Sequence, residues 1–355
     1  MYRPLPTRAV RQRAFTLLEI LVATAVLLLI LSIVFRMIQG TTETWKSTTG
    51  KTEGFRGART AFEALTRNLS QATLNTYFDY VDGSGTYRDP ANPASFIPKD
   101  YRRRSDLHFL AGADLLSGAG VTYPIGQAVF FQAPLGYTNK ASFAGMENLL
   151  NAVGYYVCYG PDPQLPGYLA GSTAGSKNRF RLMQFLQVSE ELSIGDSTVT
   201  GGSPVWNNHK WYNLAISAQK ASVSQLAENV VALVILPKLT KSDEDAGAQP
   251  LSTNYTYDSR DSAKPATFQQ LPPVIQIVMV VIDDASAAKL SNSTSPPNLG
   301  LNNLFQNPAG LQDDLATLGR NLAGLPGNPA GNQIPLRYEI FQSEVAIRGA
   351  KWSTD

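Results

Sequence analysis

The sequence is most constrained by one apolar run near its start. Residues 20–35 are sixteen consecutive positions, and only Thr24 and Ser32 among them are polar. Taken from Phe15 to Ile38 the run has 24 residues, about 36 Å as a helix at ~1.5 Å per residue. A bilayer core needs about 20 apolar residues, so the segment is long enough to span one. Two features set it apart from a plain anchor. Glu19 sits four residues past Phe15, and Arg3, Arg8, Arg11 and Arg13 precede it with no acid among the first 14 residues. A carboxylate near the membrane interior costs roughly 2.5–3.5 kcal/mol on insertion scales and calls for a partner. The simpler alternative is that Glu19 lies at headgroup level and is solvated.

Arginines ahead of an apolar helix stay in the cytoplasm, which directs everything after about residue 40 outward. An ordinary secretory signal has an apolar region of about 7–15 residues and a small-residue cleavage site. Here Phe35 is followed by Arg36-Met37-Ile38-Gln39-Gly40, which has no such site. The whole chain carries a net charge of +2, but without residues 1–14 it keeps 26 basic against 28 acidic groups, a net of −2. A slightly acidic chain argues against broad electrostatic binding, so no nucleic-acid partner is expected. With 43% hydrophobic and 16% charged residues the chain is neither disordered nor a multi-spanning membrane protein. Cys158 is the single cysteine. Its strand-like surroundings, Gly154 to Tyr159, suit a buried small hydrophobe.

The segment Phe15-Thr16-Leu17-Leu18-Glu19, with its basic leader and apolar continuation, resembles the class III signal of type IV prepilins and type II secretion pseudopilins. The resemblance implies a cut between Ala14 and Phe15 by a prepilin peptidase and methylation of the new amino terminus on Phe15. Ala14 stands where that family usually has glycine. The resemblance also implies that Glu19 meets the free amine of a neighbouring subunit and so serves subunit assembly. Further on, Ala227-Glu228-Asn229-Val230, a proline-led strand ending in Asp283, and Arg348-Gly349-Ala350-Lys351-Trp352 resemble the minor pseudopilin J family of type II secretion. They resemble still more the large prepilin-like cassette protein C group of Verrucomicrobia (the Verru_Chthon cassette).

Beyond the apolar run, residues 40–50 carry five threonines and two further glycines at their ends. β-Branched residues and glycine weaken helices, so a weak or bent section is expected there. Phe55, Ala58, Phe62, Leu65, Leu69 and Ala72 then recur at intervals of 3-4-3-4-3, a one-sided helical stripe with Arg56, Arg59, Glu63 and Arg67 on other faces. Residues 76–106 read as a loop, with turn signals at 82–85 and 89–93 and a basic run Tyr101-Arg102-Arg103-Arg104 at its end. Strands are expected at 106–110, 128–132, 152–159, 179–188, 211–217, 230–236, 274–282 and 337–348. The runs at 230–236 and 274–282 are nearly all apolar, as in central strands covered on both faces. Residues 238–270 read as a long exposed insertion, and 291–332 as a second one with a short helix at 311–322. The expected fold class is α+β, a long N-terminal spine helix packed on a mainly antiparallel sheet domain with long loop insertions. Its parts are a leader at 1–14, a transmembrane half-helix at 15–38, an amphipathic half at 39–75 and a periplasmic β-rich domain at 76–355.

No motif suggests catalysis, and no cofactor or metal is expected. His108 and His209 are the only histidines, and a strand histidine such as His108 is more often structural than a base. Asp283-Asp284 and Asp313-Asp314 are weak calcium candidates, because adjacent carboxylates without a glycine-turned loop supply too few oxygens. They read better as solvated acids at element ends. Function then falls to assembly, since a head-to-tail interface that does not close produces a filament. The expected partners are a prepilin peptidase, other pseudopilins met through the N-terminal helix, and inner-membrane lipid. Two alternatives stay open: a minor type IV pilus subunit for adhesion or DNA uptake, and a membrane-anchored envelope enzyme or binding module.

Overall fold

The computed structural model describes residues 17–88, 96–161, 177–195, 210–217, 222–245, 247–248, 250–290, 293–325 and 334–352, without the side chains of 43–54 and 214. The chain divides into two compact units, Met1–Thr52 and Glu53–Asp355. Helix α1 (Leu17–Ser70) leads. Strands β1 (Tyr77–Val81), β2 (Asp100–Arg104), β3 (Leu110–Ala113), β4 (Pro124–Pro134), β5 (Leu150–Gly160) and β6 (Arg179–Gln187) follow. Then come α2 (Trp211–Ser217), β7 (Ser222–Glu228), β8 (Val230–Lys238), α3 (Lys241–Asp245) and β9 (Tyr257–Asp258). The order closes with β10 (Val274–Ile282), α4 (Asp284–Leu290), α5 (Leu311–Leu322) and β11 (Tyr338–Ala346). Every pairing is antiparallel. The strands form a six-stranded sheet β7-β6-β5-β4-β3-β9, a three-stranded sheet β11-β10-β8 and the hairpin β1-β2. The fold is α+β, as the sequence pattern predicts.

Helix α1 continues unbroken in its secondary structure through the threonine-rich section. At the start of that section the hydroxyls of Thr41 and Thr42 donate to the carbonyls of Met37 and Ile38, one turn back, at 2.9 and 2.8 Å. This back-bonding satisfies the two hydroxyls within the helix.

Within the second unit the 3-4 stripe behaves as expected. Ala58, Phe62, Leu65, Leu69 and Ala72 are buried. They join Val129, Phe131, Val153 and Tyr155 of the large sheet, and Ile235, Ile277, Met279 and Phe341 of the small one, in a single core. Asn68, on the same helix, donates to the buried Tyr155 hydroxyl at 2.8 Å. The opposite faces of both sheets are covered as well. Leu311, Leu315, Leu318 and Leu322 of α5, with Ala287 and Leu290 of α4, pack on Val231, Val234, Val278 and Val280. This two-sided cover is why β8 and β10 read as unbroken apolar runs.

Several expectations are corrected. Residues 211–217, expected as a strand, form helix α2. Trp211, Tyr212 and Ala215 point one way at helical spacing, and the Tyr212 ring stacks on Phe130 with centroids 3.7 Å apart. Aromatic content suggested a strand there, but packing on the large sheet selects the helix. Residues 76–106 are not a plain loop, because β1 and β2 pair across them from Tyr77↔Arg104 to Val81↔Asp100. Nor is 238–270 an exposed insertion. Tyr255, Tyr257, Ser259, Arg260 and Gln269 are buried, and β9 pairs with β3 at the edge of the large sheet. The second insertion also buries Leu299 and Leu304 against β8 and β10. The first strand expected, at 106–110, begins later, as β3.

Strand β8 is an edge strand rather than a central one. A bulge in β4 between Ile125 and Ala128, with Gly126 at φ 66°, turns the Gln127 side chain toward it. Gln127 Oε1 accepts the Ile235 N–H at 2.6 Å, joining the two sheets. Gln127→Leu leaves that buried amide without an acceptor and is expected to destabilise the fold by ~1–3 kcal/mol. Urea unfolding followed by tryptophan fluorescence measures this, and an unchanged midpoint rejects the linking role.

Candidate functional site

The described part of the first unit is helix, and its apolar side chains up to Ile38 are uncovered. Leu17, Leu18, Leu21, Leu28, Phe35 and Met37 are all exposed, as are the other large apolar residues between them. A continuous exposed apolar surface of this kind is not sustained in water and marks contact with lipid or with other helices. Residues Leu17–Thr42 are long and apolar enough to cross a membrane. Thr24, one of the two polar residues in the run, donates its hydroxyl to the Leu21 carbonyl at 3.0 Å, so its polarity is satisfied within the helix. The segment is consistent with a single-pass membrane anchor.

Glu19 lies in the first turn of α1 and is exposed in the single chain. The N-terminal end of a helix carries partial positive charge, which favours a carboxylate there. Ala14 and Phe15, the expected cleavage and methylation residues, lie outside the described residues.

Of the titratable side chains singled out in the sequence, His209 lies outside the described residues, whereas His108, Asp283, Asp284 and Asp314 of the second unit hold the fold together. His108 is fully buried, and its Nε2 lies 2.7 Å from Asp258 Oδ1. The same carboxylate oxygen accepts the Arg260 N–H at 2.7 Å, and Arg260 Nη2 donates to the Asp106 carbonyl at 2.7 Å. Burial draws the Arg260 pKa down to about 10, against the opposing pull of Asp258 and Asp106. The guanidinium therefore stays charged at neutral pH, and the network fastens residues 258–260 to the edge of the large sheet. Asp258 and Arg260 were not legible as partners of His108, because about 150 residues separate them and no local spacing joins them.

The acidic pairs divide. Asp283 is buried rather than solvated, and its Oδ1 caps α4 by accepting the Ser286 N–H at 2.8 Å. Asp284 pairs with Arg179 at 2.8 Å and accepts from the Asn229 amide at 2.7 Å. Asp314 accepts the Phe305 N–H at 2.8 Å. Among the described residues no group of three His, Cys, Asp or Glu side chains is placed to hold a metal ion. In the basic run, Arg104 pairs with Asp79 at 2.7 Å, and Arg102 with Asp100 at 3.0 Å.

Cys158 is partly buried in β5, and burial pushes its thiol pKa up from 9.0 to about 11. The protonated form is thus favoured in the fold, so this contribution to stability is present below pH 9 and is lost as pH rises from 9 toward 11. Since the thiolate is the nucleophile, iodoacetamide at pH 8 is expected to label native Cys158 at least ~100-fold more slowly than the urea-unfolded chain. Equal rates by mass spectrometry overturn that environment.

Residues 10–35 match the family described as the prokaryotic N-terminal methylation motif, a type IV prepilin-like signal. No curated protein sequence matches the chain. The matched segment takes in the end of the basic leader, Phe15, Glu19 and most of the apolar run. It indicates a type IV pilin- or pseudopilin-like protein processed at its N-terminus.

Proposed function

We propose that this protein is a minor pseudopilin-like structural subunit of a type II secretion, or related, periplasmic pseudopilus. The reading rests chiefly on the coincidence of the methylation motif at 10–35 with an uncovered apolar helix. A prepilin peptidase cuts between Ala14 and Phe15 and methylates Phe15. The helix holds the subunit in the inner membrane, with the leader cytoplasmic and the sheet domain periplasmic, as the arginine-rich leader favours. Extraction into a fibre then exchanges lipid for the helices of other pseudopilins. Glu19 sets axial register by meeting the methylated amine of a neighbour, a charge pair that offsets the cost of keeping a carboxylate in an apolar layer. The resemblance at 227–230, 274–283 and 348–352 to pseudopilin J and cassette protein C supports a minor rather than a major subunit. Domain organisation follows the same scheme, with a leader at 1–14, spine segments at 15–38 and 39–75, and the periplasmic domain from 76 onward.

The single chain also favours assembly over chemistry. Several of its ionisable groups serve architecture, as in the buried His108 with Asp258 and the partly exposed Arg179–Asp284 pair. A structural subunit needs no more than that.

Mass spectrometry of the N-terminus, in hosts with and without prepilin peptidase, tests the processing step. A methylated Phe15 that requires the peptidase is expected, and an intact Met1 in both hosts rejects the assignment. Glu19→Ala is expected to leave membrane insertion unchanged while incorporation into fibres, read by shearing and immunoblot, falls about tenfold or more. Undiminished incorporation removes Glu19 from the register.

A further inference from the structure

Residues 347 and 348, just after β11, are tied down by backbone contacts. Ile347 N–H donates to the Pro273 carbonyl and Arg348 N–H to the Ser70 carbonyl, both at 3.0 Å. Gly349 passes so close to the end of α1 that a Cβ there would lie 3.0 Å from the Ala72 carbonyl oxygen. This anchoring carries Lys351 and Trp352 to a cavity of about 640 Å³, whose walls include Thr76, Phe78, Arg103 and Gln269. Trp352 also lines a second cavity of about 310 Å³, beside Asn254, Lys264 and Thr267.

Three properties of this cleft go beyond architecture. First, Gln269 Oε1 and Trp352 Nε1 on its walls have no hydrogen-bond partner among the described residues. Gln269 is only 4% exposed. Its backbone is held at φ 57°, with its N–H bound to the Ser259 carbonyl at 2.7 Å and its own carbonyl accepting from Thr76 at 3.3 Å. Strained backbone and an unanswered buried acceptor each cost free energy, and such costs cluster at ligand sites. Second, among the described residues neither cavity has an Asp or Glu on its walls, whereas Arg103, Lys351 and Lys264 bring positive charge, Lys264 while also pairing with Asp261 at 3.4 Å. Third, an aromatic platform continues from the larger cavity across the hairpin. Phe78 and Tyr101 stack with centroids 5.4 Å apart, and Tyr80 lies 5.0 Å from Tyr101. All three rings are more than half exposed. Register pairs Phe78 with Arg103 and Tyr80 with Tyr101, so these four side chains share one face.

The unanswered atoms narrow the ligand. Trp352 Nε1 needs an acceptor and Gln269 Oε1 needs a donor. A phosphodiester backbone offers acceptors alone, whereas a pair of sugar hydroxyls supplies both. Aromatic walls with a few convergent polar groups match flat, partly apolar sugar rings, and the cations match sugar carboxylates. We propose that the cleft around Trp352 binds an acidic oligosaccharide, with its hydroxyls on Gln269 and Trp352, its carboxylates on Arg103 and Lys351, and its rings on Phe78 and Tyr101. The proposal goes beyond the pseudopilin reading and stands or falls apart from it.

The full chain in detergent micelles is titrated by calorimetry with short oligogalacturonate and alginate oligomers, with maltohexaose and oligo(dT) as comparison probes. Saturable binding of at least one acidic oligomer is expected, with maltohexaose and oligo(dT) weaker. Lys351→Ala and Trp352→Phe, which removes the indole N–H but keeps a ring, are each expected to weaken it about tenfold. Lys351 is exposed, so its variant keeps the fold and decides the matter even if Trp352→Phe melts early. No binding of either acidic oligomer, oligo(dT) binding as tightly, or indifference to Lys351→Ala overturns the proposal.

Discussion

The burial of Phe62, Leu65 and Leu69 against two sheets at once is the interaction on which the rest of the second unit depends. Neither sheet closes on itself, and each presents an apolar face that must be covered. One helix stripe meets both faces, so the three-stranded sheet and the six-stranded sheet share a core instead of forming separate ones. The Gln127–Ile235 hydrogen bond then fixes the sheets to each other at the bulge of β4. Removing the stripe would leave two apolar faces without a common partner.

With one face of each sheet committed to α1, the other faces are free to take on local cover, and the connections supply it. Helix α2 closes one end of the large sheet through Trp211 and Tyr212, and α4 and α5 close the small one. The polar connection at 238–270 is drawn in for a different reason. Its charged and amide groups meet buried partners, as Arg260 and Asp258 do, and Tyr255 and Tyr257 contribute apolar area. A segment that looks solvated by composition is thereby part of the sheet edge. The same drawing-in brings Gln269 and Trp352 to the walls of one cleft, where Gln269 Oε1 and Trp352 Nε1 lack partners among the described residues.

The first unit follows the opposite logic. Its apolar surface is turned outward and has no cover of its own in the single chain. Such a surface suits lipid or other helices, and the methylation motif at its head is consistent with a membrane anchor and with assembly among pilin-like chains. The second unit buries its apolar faces within itself, whereas the first leaves its apolar side chains uncovered.

The sequence by itself determined what depends on local order. The apolar run, the leader charge, Phe15 and Glu19 are read from consecutive residues, and the 3-4 stripe from 55 to 72 and the apolar strands at 230–236 and 274–282 follow from period alone. The α+β class follows from their sum. Tertiary structure decided whatever depends on partners far away in the chain. Trp211–Ser217 became a helix because its aromatic side chains had Phe130 and Phe185 to meet. The hairpin β1-β2 formed across a stretch of turn signals because its two arms match in register. His108 became a structural residue because Asp258, 150 positions on, lies beside it. Period and composition report which face of an element is apolar; which groups come to lie against that face is fixed only when the chain closes on itself.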